Sequence, residues 1–301
     1  FLLNLRLGFT YQNPITRRFS QGFDLLSLGL PQSLVNEIRT KGDPAGIAFP
    51  QITVNNYTGL GNNGGSHYTT NYQTFFGTFT RLAGNHSLRW GGEFRLMREN
   101  GYNFGNVAPK FDFTPNWTKG PNQNSAASPI GQGMASLLYG LPNSGQVTVN
   151  ASRAEQSTFT GLFLQDDWKI ARRLTLNTGV RWEYESPTTE RFNRSLRGFD
   201  FNVPSPAEAA ARANYARAPL AELPPEQFRT LGGVSFPGVN GQPRGLWTSD
   251  KNNFAPRFGL AYQASRRMVV RSGYGIFYGL MGIDRLDVNQ GGFNQITPLV
   301  A

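Results

Sequence analysis

Several long stretches of the sequence alternate apolar and polar residues with a period of two. In the first stretch, one set of positions holds Leu3, Leu5, Leu7, Phe9 and Tyr11, and the other set holds polar residues or glycine. Because successive side chains of a β-strand point to opposite faces, this pattern predicts strands with one apolar and one polar face. Each stretch lasts about ten residues or more, whereas strands of soluble proteins usually have about 5 to 6. The chain is therefore predicted to be all-β with unusually long strands.

The predicted strands are unevenly spaced, because short turns alternate with very long segments rich in Gly, Pro, Asn and Ser. Compact soluble domains seldom contain several loops longer than about 15 residues. Transmembrane β-barrels combine short periplasmic turns with long extracellular loops. The strands cover residues 2 to 12, 72 to 83, 87 to 98, 157 to 170, 174 to 186, 254 to 263 and 267 to 278. The turns are Gly84-Asn85-His86, Ala171-Arg172-Arg173 and Ala264-Ser265-Arg266, and the long segments are residues 13 to 71, 100 to 156 and 187 to 253. The expected fold is a segment of an antiparallel transmembrane β-barrel, about seven strands of a larger one.

Short helices are predicted within two of the long segments. Ser205-Pro206-Ala207-Glu208 has the pattern of a capping box with proline at the first helical position, and alanine-rich residues follow it. Ser128-Pro129 precedes a second helical stretch, which Gly140 ends. The long segments are therefore expected to carry local structure.

The overall composition excludes several other classes of protein. With 39% hydrophobic residues among 301, the chain is too apolar to be disordered throughout. It contains no run of about 18 apolar residues, so it is not a helical membrane protein. There is no cysteine, which excludes disulfides and thiolate chemistry. The net charge of +10 comes from arginines and lysines that are dispersed among the strands, which favours a lumen or a lipid headgroup over nucleic acid as their partner.

The acidic residues on the strands form no convincing catalytic pair. Asp166 and Asp167 are adjacent, and neighbouring residues of a strand point to opposite faces. Glu183 and Glu185 lie on one face about 7 Å apart, a separation compatible with paired carboxylates. The favoured interpretation is that they line a polar lumen beside Arg181.

Other signs of catalysis or metal binding are missing from the sequence. His67 and His86 lie in predicted loop and turn positions without metal-ligand spacing. The sequence has no nucleophile elbow, no P-loop and no dinucleotide-binding glycine motif. The chain is therefore expected to have no enzymatic activity, no cofactor and no metal site.

The aromatic residues of the strands are placed as in a membrane protein. Amphipathic rings gather at both interfaces of a bilayer, and here rings cluster at both ends of the predicted strands. Those near the tight turns are Trp90, Trp168 and Tyr262, and those near the long segments are Tyr11, Tyr72, Tyr184 and Tyr278. The alternative is that these rings cap the core of a soluble β-sandwich.

Three blocks of sequence resemble the barrel of TonB-dependent outer-membrane receptors, specifically the Oar-like branch. The most specific block combines Phe163-x-Gln165-Asp166-x-Trp168 with Leu174-Thr175-x-Asn177-x-Gly179-x-Arg181. The other two are Gly84-Asn85-His86-Ser87-Leu88-x-x-Gly91-Gly92-Glu93 and Ala255-Pro256-Arg257-x-Gly259. The resemblance covers most of the chain and is weakest in the long segments.

This resemblance implies an energy-coupled importer in the outer membrane of a Gram-negative cell, whose barrel has about 22 strands. Residues 1–301 are then expected to form a partial barrel domain, without the plug, the TonB box and the C-terminal strands. The expected partners are outer-membrane lipid, the TonB complex through the N-terminal part, and a small or oligomeric ligand such as a carbohydrate or siderophore. Two alternatives stay open: a surface adhesin or export-associated barrel, and a soluble β-sandwich binding module.

Two sets of residues are the candidates for function. The first set is predicted to face the lumen, toward the plug, and comprises Arg181, Glu183, Glu185, Arg257 and Arg271. The second set consists of aromatic residues in the long segments, which have no lipid to face and can stack on flat ligands. These are Tyr57, Tyr68, Trp117, Phe236 and Trp247.

Overall fold

The computed structural model describes residues 1–61, 64–122, 124–128, 130–281 and 288–299. The chain forms two compact units. Unit 1 comprises residues 1–11, 70–99 and 154–289, and unit 2 comprises residues 12–69, 100–153 and 290–301. That residues 1–301 form a single partial barrel domain stays a prediction.

The described residues are mainly β-structure. The strands are β1 Leu2–Gln12, β2 Ile15–Thr16, β3 Gln51–Val54, β4 Ser66–Ala83, β5 His86–Asn103, β6 Lys110–Phe113, β7 Ser144–Val149, β8 Arg153–Ala171, β9 Leu174–Glu185, β10 Thr189–Glu190, β11 Gly198–Pro204, β12 Leu231–Ser235, β13 Asn253–Ser265, β14 Met268–Gly275 and β15 Gln295–Leu299. The α-helices are α1 Gln32–Lys41, α2 Gln132–Leu138 and α3 Glu208–Tyr215. Single 3₁₀ turns cover Leu25–Leu28, Pro44–Gly46 and Pro115–Trp117.

One large sheet contains all seven predicted strands, in the order β1-β4-β5-β8-β9-β13-β14. The short strands β2 and β10 pair with β4 and β8, which brings the sheet to nine strands. Strand β8 pairs with β9, β9 with β13, and β13 with β14, and all three pairings are antiparallel. The prediction of an antiparallel sheet of long strands is therefore confirmed.

The strand register separates an apolar face from a polar face. Leu164 lies opposite Val180, and Val180 lies opposite Pro256 on the next strand. Asn177 lies opposite Asp167 and, on its other side, Gly259. Since residues paired across antiparallel strands share a face, the apolar residues of three neighbouring strands form one surface. We call this surface the apolar face and the opposite one the polar face.

The tight turns are shorter than the sequence predicts. They are Gly84-Asn85, Arg172-Arg173 and Arg266-Arg267. His86, Ala171, Ala264 and Ser265 therefore belong to strands, whereas Arg267, predicted to begin a strand, belongs to a turn. Gly84 has a φ of 59°, the left-handed conformation that suits glycine in a two-residue hairpin.

The last strand of this sheet ends earlier than predicted, at Gly275 rather than at residue 278. Ile276 still donates its backbone N–H to Pro256 O at 3.1 Å. Pro256 has no N–H with which to return this bond, so the ladder stops there.

One of the predicted interfacial aromatics is wrongly assigned. Tyr72 packs against Met97 and Phe159, which are both buried, and this cluster includes polar-face residues. The ring of Tyr72 therefore does not lie on the apolar face.

Tyr184, another predicted interfacial aromatic, stacks on Trp182, two residues away on β9, with 6.2 Å between the ring centroids.

Unit 2 has its own sheet, in the order β15-β7-β6-β3, although the sequence predicts only loops and one helix in this part of the chain. Strands β3 and β6 run parallel, and the other two pairings are antiparallel. Buried residues of its core are Leu25, Val35, Ile38, Val107 and Val147. Its strands have four to six residues, too short for a reliable alternation pattern.

Of the three α-helices in the described part of the chain, two are predicted and one is missed. Helices α2 and α3 are confirmed, but both begin later than predicted, after Gly131 and Ala207. Ala207 makes no side-chain cap hydrogen bond, so the predicted capping box at Ser205 does not cap α3. Pro129 lies outside the described residues. Helix α1 follows Pro31 without a side-chain cap, so the usual start signal is absent. Val35 and Ile38 on one side of α1 are buried, and tertiary packing rather than capping therefore accounts for this helix.

Unit 2 contains a buried arginine, Arg18, which is 5% exposed. Its guanidinium donates hydrogen bonds to the carbonyl oxygens of Gly46, at 2.7 Å, Gly64 and Gly105. Burial lowers the pKa of Arg18 from its usual value. The three carbonyls come from three separate segments, so this one side chain links them.

The two faces of the large sheet generate a first prediction. Val180 lies on the apolar face and Asn177 on the polar face of the same strand. If the apolar face meets acyl chains, Val180→Arg is expected to destabilise the barrel by about 2 to 4 kcal/mol, whereas Asn177→Arg is expected to cost little. Denaturant unfolding of the full-length protein in lipid bilayers measures the free energy of unfolding of both variants. Equal losses for the two variants would contradict the assignment of faces.

Candidate functional site

A charged cluster lies on the polar face of unit 1, where β5 and β9 place Glu93, Arg181 and Glu183. Arg181 Nη2 lies 3.0 Å from Glu93 Oε2, and Arg181 Nε lies 2.6 Å from Glu183 Oε1. The three side chains are only 12 to 16% exposed. One guanidinium therefore bridges two carboxylates that come from different hairpins.

Arg95 extends this cluster. Its Nε lies 2.6 Å from Glu93 Oε1. The buried ring of Phe159 lies near both cations, 5.2 Å from the Arg95 guanidinium and 5.8 Å from that of Arg181. Cation–π contacts of this kind stabilise partly desolvated arginines. The charged cluster is thus held in place by packing as well as by ion pairs.

A second polar group lies nearer the tight turns, around Asp167. Its carboxylate accepts hydrogen bonds from Asn177 at 2.6 Å and Gln165 at 3.2 Å, and Arg89 lies 3.5 Å away. The neighbouring Asp166 instead contacts His86 Nδ1 at 2.6 Å. The two aspartates have different partners, in agreement with the prediction that they do not act together.

A depression of about 430 Å³ lies in the same sheet. Residues of the polar face that line it include Phe76, Phe163, Gln165, Asn177 and Arg257. Phe76 and Phe163 stack at 6.2 Å. The lining also includes glycines of β9 and β13, which leave space that larger side chains would fill.

The five residues predicted to face the lumen lie at polar-face positions of the register, and two of them, Arg181 and Glu183, form an ion pair. Glu185 accepts a hydrogen bond from the backbone N–H of Met281 at 2.8 Å. Arg257 lies over the ring of Phe277 at 4.9 Å. Arg271 is exposed on β14, opposite Ala261. That these side chains line a lumen stays a prediction.

The sequence interpretation did not include Glu93 and Arg95 among the site residues. A usable signal was present, because Glu93 and Arg95 repeat on β5 the two-residue spacing of opposite charges that Arg181 and Glu183 show on β9. What the spacing cannot indicate is that β5 and β9 bring these pairs into contact.

Three of the candidate aromatic residues belong to unit 2. Tyr68 lies in strand β4 rather than in a loop, which corrects the prediction, and Arg153 lies over its ring at 5.5 Å. Trp117 is half exposed, and its Nε1 donates a hydrogen bond to Pro142 O at 3.2 Å. Tyr57 is an exposed residue that follows β3.

The other two candidate aromatic residues belong to unit 1. Phe236 is half-buried and directly follows β12. Trp247 lines a cleft of about 490 Å³. Polar side chains that line the same cleft include Gln156, Thr158, Ser186, Thr189 and Arg197. An aromatic ring among hydroxyl, amide and guanidinium groups suits a polar ligand that has a flat apolar surface.

The cleft is built on a fixed framework. Arg197 donates hydrogen bonds to Gly245 O and to Gln242, both at 3.0 Å. Glu190 is fully buried, and its carboxylate accepts backbone N–H groups of Ala154, Phe192 and Arg194 at 2.8 to 3.0 Å. A buried carboxylate with three such donors is well satisfied. The backbone near the cleft is therefore ordered by hydrogen bonds that the sequence does not reveal.

The histidines lie in strands rather than in the predicted loop and turn. His67 belongs to β4 and contacts Asn13 at 2.6 Å, and His86 begins β5 and stacks on Trp168. Within the described ranges, no group of three or more His, Cys, Asp or Glu residues could hold a metal ion.

The carboxyl group of Asp112 in unit 2 has a pKa below its usual value. Its burial by itself raises the pKa, but hydrogen bonds from Thr53, Lys110 and Ser144 and the charge of Lys110 outweigh this effect. These contacts fasten β6 to β3 and β7 rather than forming an open site.

The chain matches a known family of proteins. A family model described as "Outer membrane beta barrel domain" matches residues 1–301. No curated protein and no solved structure matches the chain. In the part of the chain that is described, no helix is both long and apolar enough to cross a membrane.

The charged cluster generates a second prediction, for a double-mutant cycle. Arg181→Met leaves Glu93 and Glu183 without their shared cation, so it is expected to destabilise the protein strongly, whereas Glu93→Gln alone is expected to cost less. The coupling free energy between the two positions is expected to be about 0.5 to 3 kcal/mol. Equilibrium unfolding of the four proteins measures it, and an equivalent cycle for the exposed pair Lys41 and Glu37 is the control. Equal coupling in both cycles would mean that partial burial adds nothing.

Proposed function

Because the chain belongs to the outer membrane beta barrel domain family, we propose that it forms part of the wall of a TonB-dependent receptor of the Oar-like branch. Family membership places the protein in the outer membrane. It also favours the membrane barrel over the soluble β-sandwich. The proposed activity is uptake of a ligand, with energy supplied through the TonB complex.

The observation that carries this proposal is the charge of the polar face. A narrow barrel fills its interior with packed side chains, whereas a wide barrel has a polar lumen that holds water or a plug. Here the polar face carries the partly buried ions of Glu93, Arg95, Arg181 and Glu183, which suit a wide lumen. Arg257 and Arg271 on β13 and β14 would face the plug in such a barrel.

The long segments would capture the ligand. The Trp247 cleft combines one indole ring with several hydrogen-bonding side chains, which fits a carbohydrate or a siderophore better than a purely apolar molecule. Tyr57 and Trp117 are further exposed rings in unit 2. The proposal assigns the chain no catalytic step, no cofactor and no nucleic-acid partner.

A surface adhesin or export-associated barrel is the second candidate, and one pair of strands in a long segment favours it. Strands β11 and β12 pair with each other, and Phe199 and Phe201 on β11 contact edge to face at 4.8 Å. Phe201 is nevertheless 74% exposed. An exposed aromatic strand pair of this kind suits contact with another surface.

The third prediction separates these candidates. The full-length receptor is expected to restore growth of its deletion strain on one nutrient in a panel of single nutrients, and this growth is expected to require TonB. Trp247→Ala is expected to lower uptake of that nutrient about tenfold while the barrel stays assembled, which corresponds to a loss of about 1.4 kcal/mol in ligand binding. Phe19→Ala, which removes a fully exposed ring that belongs to neither set of candidate residues, is the control. Growth that does not depend on TonB would favour the adhesin or export function.

The fourth prediction concerns sidedness. If the tight turns are periplasmic, an epitope inserted at Asn240, an exposed turn residue with a φ of 51°, is expected to be labelled on intact cells. An epitope at Asn85 is expected to be labelled only after the outer membrane is opened. The reverse pattern of labelling would invert the topology.

A further inference from the structure

Two of the three tight turns share a sequence pattern that the proposed function does not use. Trp168 is followed four residues later by Arg172-Arg173, and Tyr262 is followed four residues later by Arg266-Arg267. In both hairpins the arginine pair forms the two-residue turn itself. The third turn, Gly84-Asn85, carries no charge.

The structure places the two patterned hairpins side by side. The connected strands β9 and β13 are neighbours, and Gln263 donates its backbone N–H to Arg173 O at 2.8 Å. The centres of the two turns lie two strand spacings apart, which corresponds to about 10 Å. Four guanidinium groups and the nearby Lys169 therefore lie at the same end of the strands, which we call the turn end of the sheet.

These cations are available for an external partner. The four arginines of the turns are exposed, and within the described residues none of their side chains has an ion-pair or hydrogen-bond partner. The carboxylates at this end of β8 are occupied, because Asp166 pairs with His86 and Asp167 with Arg89 and Asn177. The turn end of the sheet consequently keeps its positive charge.

The aromatic residues fix the depth at which the arginines lie. Trp168 pairs with Leu176, and Leu176 pairs with Leu260, so Trp168 lies on the apolar face, as does Tyr262 opposite Leu174. Such rings settle at the interface between acyl chains and headgroups. Four residues of a tilted strand rise about 10 Å, which places the arginines at or just beyond the headgroups. Their long stems can bend back toward the phosphates.

We propose that the arginine pairs Arg172-Arg173 and Arg266-Arg267 bind the headgroup phosphates of anionic phospholipids in the leaflet next to the tight turns. A guanidinium donates two parallel hydrogen bonds to phosphate oxygens, and net negative charge on the lipid adds to this attraction. The proposal depends on the membrane location and on the assignment of faces. It does not depend on TonB or on uptake.

The test measures lipid preference at the protein surface. The full chain is reconstituted in phosphatidylcholine bilayers, and electron paramagnetic resonance compares spin-labelled phosphatidylglycerol with spin-labelled phosphatidylcholine. Phosphatidylglycerol is expected to associate several-fold more strongly, because each interfacial arginine attracts anionic lipid. Raising the salt concentration is expected to reduce this preference. A preference that is absent, or that salt does not change, would overturn the proposal without any variant.

Charge variants then locate the preference. Replacing Arg172, Arg173, Arg266 and Arg267 by glutamine is expected to bring the ratio of phosphatidylglycerol to phosphatidylcholine association close to one. Replacing them by lysine is expected to keep most of the preference for phosphatidylglycerol. The control replaces four exposed cations of the long segments by glutamine, namely Arg17, Arg212, Arg217 and Lys251. Heat-modifiable migration in gels confirms that each variant is folded. Equal losses in the two glutamine variants would overturn the proposal, since the preference would then reflect net charge alone.

A final arm distinguishes lipid headgroups from free phosphate. Inorganic phosphate and sodium chloride are added at equal ionic strength. Under the proposal both salts lower the phosphatidylglycerol preference equally, because they act only by screening. A larger effect of inorganic phosphate would show a site for soluble phosphate and would contradict the assignment to lipid.

Discussion

The register between β8, β9 and β13 is the constraint on which the rest of unit 1 depends. Side chains alternate with a period of two, so a slip of one residue in any pairing would exchange the apolar and polar faces of a strand. In hydrocarbon the cost is higher still, because unpaired backbone groups have no water to bind. The observed pairing of Leu164 with Val180, and of Val180 with Pro256, avoids both costs.

The polar face shows how such a wall accommodates charge. Arg181 serves two carboxylates, and the ring of Phe159 lies near both Arg181 and Arg95. Removing one member would leave partly desolvated charges without partners, which costs more than the intact pair contributes. The cluster therefore acts as a unit, and its charged members are compatible with the proposed wide lumen.

The long segments depend on a different device, a buried charged side chain that binds backbone groups. Arg18 donates to three carbonyl groups in unit 2, and Glu190 accepts three backbone N–H groups in unit 1. Irregular backbone leaves donors and acceptors unpaired, and a buried ion satisfies several of them at once. Segments rich in glycine and polar residues can thus hold a cleft such as that of Trp247 in a defined shape.

The sequence by itself determined the seven long strands, the positions of the tight turns to within two residues, and the face on which residues such as Val180 and Asn177 lie. These features follow from a local rule, the two-residue period of a strand, which any stretch of about ten residues displays. Only the tertiary structure decided that Glu93 meets Arg181, 88 residues away, that β3 pairs in parallel with β6, and that uncapped helix α1 forms. Those features depend on contacts between distant segments, which no local pattern records.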